Sequence, residues 1–182
     1  MTSKIRDILE LLELSRPGHC ELLVVGGACR DTLVGTEPKD YDVLVDIQDY
    51  SYEEAFAYMS RWASSISASN RGMVHIYEAY GQVSNPKNHF NRMYNLCAKV
   101  VLLDGTIVDL LFVKETLLGT VASFDSNVNM VYYDAGTGRI ERLGLPPEDG
   151  FFVSTNIPAS RVDKAFKHWQ KHYQEVGVDQ SN

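Results

Sequence analysis

Two aspartates flank one tyrosine in Asp40-Tyr41-Asp42. Residues two apart on a strand point to the same face, so these carboxylates stand side by side while Tyr41, Val43 and Val45 turn the other way. Acids that close repel and raise each other's pKa unless a cation intervenes, and hard oxygen donors suit Mg²⁺. A bare pair of this spacing is more often two solvated side chains at the start of a strand. Its surroundings shift the balance. Gly26-Gly27 closes the apolar run Leu22–Val25, and Ala28 to Leu33 can open a helix. A glycine pair lets backbone amides approach a phosphate closely, and a helix N-terminus favours anionic charge. Arg30 falls in that first turn, where a guanidinium can pair with phosphate oxygens. The plainer alternative is a tight strand-to-helix turn with an exposed arginine. Downstream, Val108-Asp109-Leu110 sets one acid inside an apolar strand, where it needs either a partner or a solvent-facing side.

These residues require a scaffold, and the periodicity supplies one. A helix is expected over residues 3–14, with Ile5, Ile8, Leu9 and Leu12 on one face and Pro17-Gly18 ending it. Strands are expected at Leu22–Val25, Tyr41–Val45 and His75–Tyr80, with a helix over 53–66 between the last two. Val83 to Arg92 reads as a polar loop. Further strands at 94–103 and 106–113 are joined by Asp104-Gly105, a hairpin signal. Asn129–Tyr133 turns through Asp134-Ala135-Gly136-Thr137-Gly138 into a return at Arg139–Leu143. A Pro-rich stretch, Gly144 to Gly150, precedes a last helix over 160–175 with the stripe Val162, Phe166, Trp169 and Tyr173. Hairpins join several strands, so the fold class is α+β: a mixed sheet flanked by helices, with a short C-terminal helical appendage.

The chain has 182 residues, 45% of them hydrophobic and 23% charged, which is one-domain size with enough apolar material for a core. No apolar run approaches the roughly 18 residues of a membrane span, so no membrane is expected. No signal peptide is recognisable at the N-terminus. Three widely spaced cysteines (Cys20, Cys29, Cys97) fit reduced thiols. The expected location is therefore cytoplasmic, or the host cytoplasm if a virus encodes the chain. A net charge of −7 excludes general attraction to nucleic acid, so any such partner must meet a local basic patch. The last helix carries one: Arg161, Lys164, Lys167 and Lys171 recur at three- and four-residue spacing. That face can meet a triphosphate or an RNA backbone, or can simply be a solvated helix surface. His168 and His172 have the spacing of zinc-binding helices, without the glutamate or a third ligand that would complete the site. No P-loop motif occurs.

Together the motifs resemble the polymerase-beta-like nucleotidyltransferase superfamily. Gly26-Gly27, then Asp40-Tyr41-Asp42, then a lone strand acid at Asp109 follow that superfamily's order. Val25-Gly26-Gly27-Ala28-Cys29-Arg30-Asp31-Thr32-Leu33-Val34-Gly35, ending in Lys39-Asp40-Tyr41-Asp42, resembles the GGxxRDxLxG…DxD opening of class II tRNA CCA-adding enzymes and bacterial poly(A) polymerases. Asp125-Ser126-Asn127-Val128-Asn129-Met130-Val131-Tyr132-Tyr133-Asp134 is similar to their RRDFTINAxxYD segment, with Ser123 and Phe124 where two arginines stand in the family. Arg161-Val162-Asp163-Lys164-Ala165-Phe166-Lys167 resembles their RxxRAxR run.

The resemblance implies a catalytic head over 1–150 and, over 151–182, a helix like the start of a neck. It implies transfer of an NMP from an NTP to an acceptor hydroxyl, most readily an RNA or tRNA-like 3′ end. Asp40, Asp42 and Asp109 would be both catalytic residues and ligands of two Mg²⁺ ions. Gly26, Gly27, Arg30, Asp125, Asn129, Arg161 and Lys164 would bind the nucleotide. Full-length relatives carry helical domains that hold the acceptor; these have no counterpart up to Asn182, so a partner subunit is a candidate to supply them. Two other functions fit the residues: NMP transfer to a protein or small molecule, and a non-catalytic nucleotide- or partner-binding module.

Overall fold

The computed structural model describes residues 2–69, 71–78, 94–155 and 157–174; the loop expected over Val83–Arg92 lies outside the described residues. Seven strands form one sheet: β1 (Leu22–Val25), β2 (Tyr41–Asp46), β3 (Gly72–Glu78), β4 (Tyr94–Leu102), β5 (Ile107–Val113), β6 (Val131–Asp134) and β7 (Arg139–Arg142). Their order is β3-β4-β5-β2-β1-β6-β7, and every pairing is antiparallel except β2 with β5. This is the mixed α+β sheet that the hairpin signals predict. Asp104-Gly105 makes the β4–β5 turn, with Gly105 at φ +82° and the Thr106 N–H donating to Asp104 Oδ1 at 2.9 Å.

The strands alternate, and the two faces they create are covered differently. On one face Val24, Val43, Val45, Ala98, Val100, Leu110 and Phe112 meet α1 (Thr2–Ser15) and α3 (Tyr52–Ala68). Trp62 of α3 is fully buried, and its indole N–H donates to Ser15 Oγ of α1 at 3.0 Å. The Tyr58 hydroxyl donates to the Gly18 carbonyl at 2.7 Å, so α3 also holds the turn that feeds β1. A capping box opens α3: the Glu54 N–H donates to Ser51 Oγ, and the Ser51 N–H donates to Glu54 Oε2 at 2.8 Å.

The opposite face carries Val25, Leu44, Cys97, Leu111 and Val113, packed against Leu117 and Val121 of a short helix, α4 (Leu117–Ala122). Sequence periodicity cannot reveal α4, because six residues are less than two turns of an α-helix. α2 (Gly27–Leu33) follows β1 directly, and α5 (Ala159–His172) is the last described helix. The stripe expected on α5 is rotated. Ala165, only 3% exposed, sits at the contact with Val128, while Phe166 is 37% exposed. A small side chain at the centre lets the helix approach, and Trp169 reaches across to donate its indole N–H to the Pro147 carbonyl at 2.7 Å. This rotation turns Arg161 and Lys164 toward the sheet.

Replacing Trp62 with alanine should cost roughly 3–5 kcal/mol, because a large cavity opens between α1, α3 and the sheet. Ser15→Ala should cost about 1–3 kcal/mol by leaving the buried indole N–H without its acceptor. Urea unfolding of the two variants beside wild type measures both, with the larger shift expected for Trp62→Ala.

Candidate active site

The site begins where β1 ends. Gly26 has φ +62°, which non-glycine residues rarely adopt, and a Cβ there would lie 3.5 Å from the Phe124 ring and 3.8 Å from Asp42 Oδ2. The Gly26 N–H donates to the Val131 carbonyl at 2.9 Å, fixing the turn between β1 and β6. Gly26 therefore contributes an open approach to Asp42 rather than an amide of its own. Gly27 takes the first position of α2, where an N–H has no intrahelical acceptor.

Sheet register places the acids. Asp42 pairs with Val25 on one side and with Asp109 on the other, so the two carboxylates occupy adjacent strands on the same face. Asp40 stands exposed immediately before β2. Burial pushes the Asp42 carboxyl up to about 7, the negative charges of Asp40 and Asp109 add to the rise, and the cations Arg161 and Lys164 oppose it. Asp109 is turned to a cation of its own sheet: Lys99, its register partner on β4, donates to Oδ2 at 3.3 Å and lies 3.2 Å from Oδ1.

A cleft of about 410 Å³ opens over these elements. Its wall includes Gly26, Gly27 and Arg30 from the first turn, and Asp40 and Asp42 from the second. Asp125 and Asn129 come from the segment before β6, and Arg161 and Lys164 from α5. Of the ten residues singled out in the sequence, Asp109 alone does not line it. Lys167 pairs with Asp163 at 2.8 Å on the outside of α5.

Polar contacts run round the cleft in a nearly closed ring. Arg30 NH1 donates to Asn129 Oδ1 at 2.7 Å, and Asn129 Nδ2 donates to Asp125 Oδ1 at 2.7 Å. Asp125 Oδ2 lies 3.5 Å from Arg161 Nε on α5. In the other direction Arg30 Nε and NH2 each lie 2.8 Å from Asp31 Oδ1, which is 3.9 Å from His168 Nδ1, again on α5. That last approach is no ion pair: burial, then the nearby Arg30 charge, holds His168 down at about 3, so it is neutral. Arg30 is thus oriented by two side chains, Asn129 and Asp31, before any ligand arrives.

Sequence reasoning missed Asp31, Lys39, Tyr94, Leu111, Phe124 and Ala165, which also line the cleft. Leu111 was available from alternation, two residues beyond Asp109 on the same face. Phe124 adjoins Asp125 and stands where arginine stands in the related segment, so an apolar ring faces Gly26 there. Nothing local marks Tyr94; it reaches the cleft only because β4 pairs with β5.

Residues 22–94 match the family model of the poly A polymerase head domain, a span that takes in Gly26-Gly27, Arg30, Asp40 and Asp42. The match covers 73 of the 182 residues, so it is a likeness of that span to such a head domain. Among solved structures it is similar to the Thermotoga maritima CCA-adding enzyme complexed with tRNA, at 21% identity over 69% of this chain and 26% of that one, TM-score 0.42. It is also similar to the Bacillus stearothermophilus CCA-adding enzyme in complex with CTP, at 16% identity over 76% of this chain and 28% of that one, TM-score 0.44. The chain thus corresponds to less than a third of the length of those proteins. No curated protein matches the sequence.

Metal-free stability should report the strain on Asp42. The unfolded chain loses this proton near pH 4, whereas the fold keeps it until about 7. Between those values the folded state binds the extra proton, so this group's contribution to stability falls as pH rises and is lowest above 7. In EDTA, wild type should lose on the order of a few kcal/mol across this window relative to Asp42→Asn, measured by urea unfolding at a series of pH values.

Proposed function

We propose that this chain is a nucleotidyltransferase that moves an NMP from an NTP to an acceptor hydroxyl, with an RNA 3′ end as acceptor. The reading rests on one observation: a glycine turn, an oriented arginine and an acid pair meet in a single cleft whose far wall carries two basic side chains, Arg161 and Lys164. Residues 1–150 act as the catalytic head, and 151–182 as a helix resembling the start of a neck. The acceptor-binding surface beyond the head is supplied by a partner subunit or by further chain, and the protein works in the cytoplasm.

The donor chemistry fits Mg²⁺ at Asp40 and Asp42. Asp42 is a half-buried carboxyl under repulsion from two other acids, and a divalent cation relieves that penalty. Among the described residues no three His, Cys, Asp or Glu side chains stand close enough together to hold a metal. Asp109, the third acid expected from the sequence, pairs with Lys99 and does not line the cleft. Bound Mg²⁺ supplies a lowered pKa for an acceptor hydroxyl and charge neutralisation for the triphosphate and departing pyrophosphate. Around it, Gly26 and Gly27 leave room for phosphate, and the Gly27 amide can donate to it. Arg30, Arg161 and Lys164 stabilise the phosphate charge, while Asp125 and Asn129 contact the ribose or base. Phe124 and Tyr94 present ring surface to the nucleotide.

The purified protein, incubated with Mg²⁺, each α-labelled NTP in turn, total RNA and cell extract, should label RNA. Asp40→Ala/Asp42→Ala should fold as wild type does and reduce labelling to background. Transfer retained by the variant overturns the assignment of these acids. Label in protein instead of RNA replaces the acceptor, and nucleotide binding without any transfer leaves a non-catalytic module.

A further inference from the structure

The cleft is lined by charges of both signs, but its cations are not equally available. Arg30, Lys39, Arg161 and Lys164 stand among Asp31, Asp40, Asp42 and Asp125. Both arginines already have carboxylate partners. The Arg30 guanidinium lies 2.8 Å from Asp31 Oδ1, with the two side chains 14% and 18% exposed, and Arg161 Nε lies 3.5 Å from Asp125 Oδ2. The lysines differ: among the described residues neither Lys39 nor Lys164 forms an ion pair. Lys39 is exposed immediately before the acid pair, and Lys164 is exposed on α5, where its charge is felt by Asp42.

We propose that Lys39 is a binding residue of this cleft, and that Lys39 and Lys164 together take the phosphate chain of the ligand, while Arg30 and Arg161 lend their charge only in exchange for a carboxylate. The inference rests on the reading of the cleft as a nucleoside triphosphate site. A phosphate oxygen that approaches either arginine competes with an acid already in place, and its gain is reduced by what that acid loses. Displacing the acid leaves Asp31 or Asp125 uncompensated in the cleft, facing the incoming polyanion. An unpaired ammonium has no such partner to give up. It is also a compact charge on a flexible four-carbon stem, able to follow oxygens along a phosphate chain. With a net charge of −7 the molecule as a whole repels a polyanion, so the unpaired cations of the cleft must supply the attraction.

Isothermal titration calorimetry with inorganic tripolyphosphate, in EDTA at low ionic strength, reads the protein's own cations alone. Lys39→Met and Lys164→Met should each weaken binding about tenfold, the effect of one charged contact at an exposed position. Lys39→Arg keeps the charge and should stay within about twofold of wild type. Asp125→Asn releases Arg161 and should tighten binding about threefold or more. Asp125→Asn/Arg161→Met removes a matched pair and should stay within about twofold of wild type. Binding unmoved by Lys39→Met, or not tightened by Asp125→Asn, overturns the inference; so does a matched-pair variant that loses as much as a lysine variant. ATP bound with Mg²⁺ while tripolyphosphate is refused in EDTA also overturns it, and leaves the triphosphate reading standing. Failure of that reading looks different: wild type then binds neither tripolyphosphate nor ATP with Mg²⁺. Circular dichroism checks the fold of each variant, and Lys39→Gln repeats the loss of charge with a second side chain.

Discussion

Repulsion between acids held in register is the constraint around which this molecule is organised. The parallel pairing of β2 with β5 sets Asp42 beside Asp109 near the middle of the sheet, and Asp40 lies two residues from Asp42 along the chain. Neither Asp42 nor Asp109 can move away without breaking the ladder that also packs Val43, Leu110 and Phe112 into the core. The hydrophobic face therefore enforces the electrostatic strain on the other face. Strand alternation makes this possible, since a single backbone register serves both surfaces.

Two sets of cations answer that strain, from opposite directions. Lys99 comes from the neighbouring strand and neutralises Asp109 within the sheet itself. Arg161 and Lys164 come from α5, far along the sequence, and lower the Asp42 carboxyl against the larger effect of burial. Asp125 draws Arg161 over the cleft, and the same aspartate accepts from Asn129, which accepts from Arg30. The result is a cleft in which Arg30, Asp31, Asp125 and Arg161 are held by one another and by Asn129. Such preorganisation lowers what a ligand must order on arrival.

Much of this was legible in the sequence, for reasons that differ by element. β1, β2 and α3 announce themselves because each is long or apolar enough for its period to show, and Gly26-Gly27 stands out because few other residues satisfy a positive φ against a neighbouring ring. α4 and Tyr94 were silent: the helix is too short to display a period, and the tyrosine acquires its place from a pairing made elsewhere. The stripe read on α5 held Trp169 and Tyr173, which do pack there, but left out Ala165, whose small side chain lets the helix approach. Lys99 is the sharpest case. Asp109 visibly needed a partner, but which residue lies opposite it follows only from the β4–β5 register.

That last helix is tied back to the sheet through the Pro-rich stretch before it. By sequence, the Pro-rich stretch before Gly150 separates α5 from the sheet. In the structure, Trp169 bonds the Pro147 carbonyl, Asn127 Nδ2 donates to the carbonyls of Leu145 and Gly150, and the Phe152 N–H returns to Asn127 Oδ1. The stretch is thereby stitched to the turn that carries Asp125 and Asn129. Any displacement of α5 must pull on Ala165 against Val128 and on Arg161 against Asp125 together. Packing and charge at this boundary are therefore coupled, and a ligand that competes for Arg161 acts on the seating of the helix as well as on the cleft.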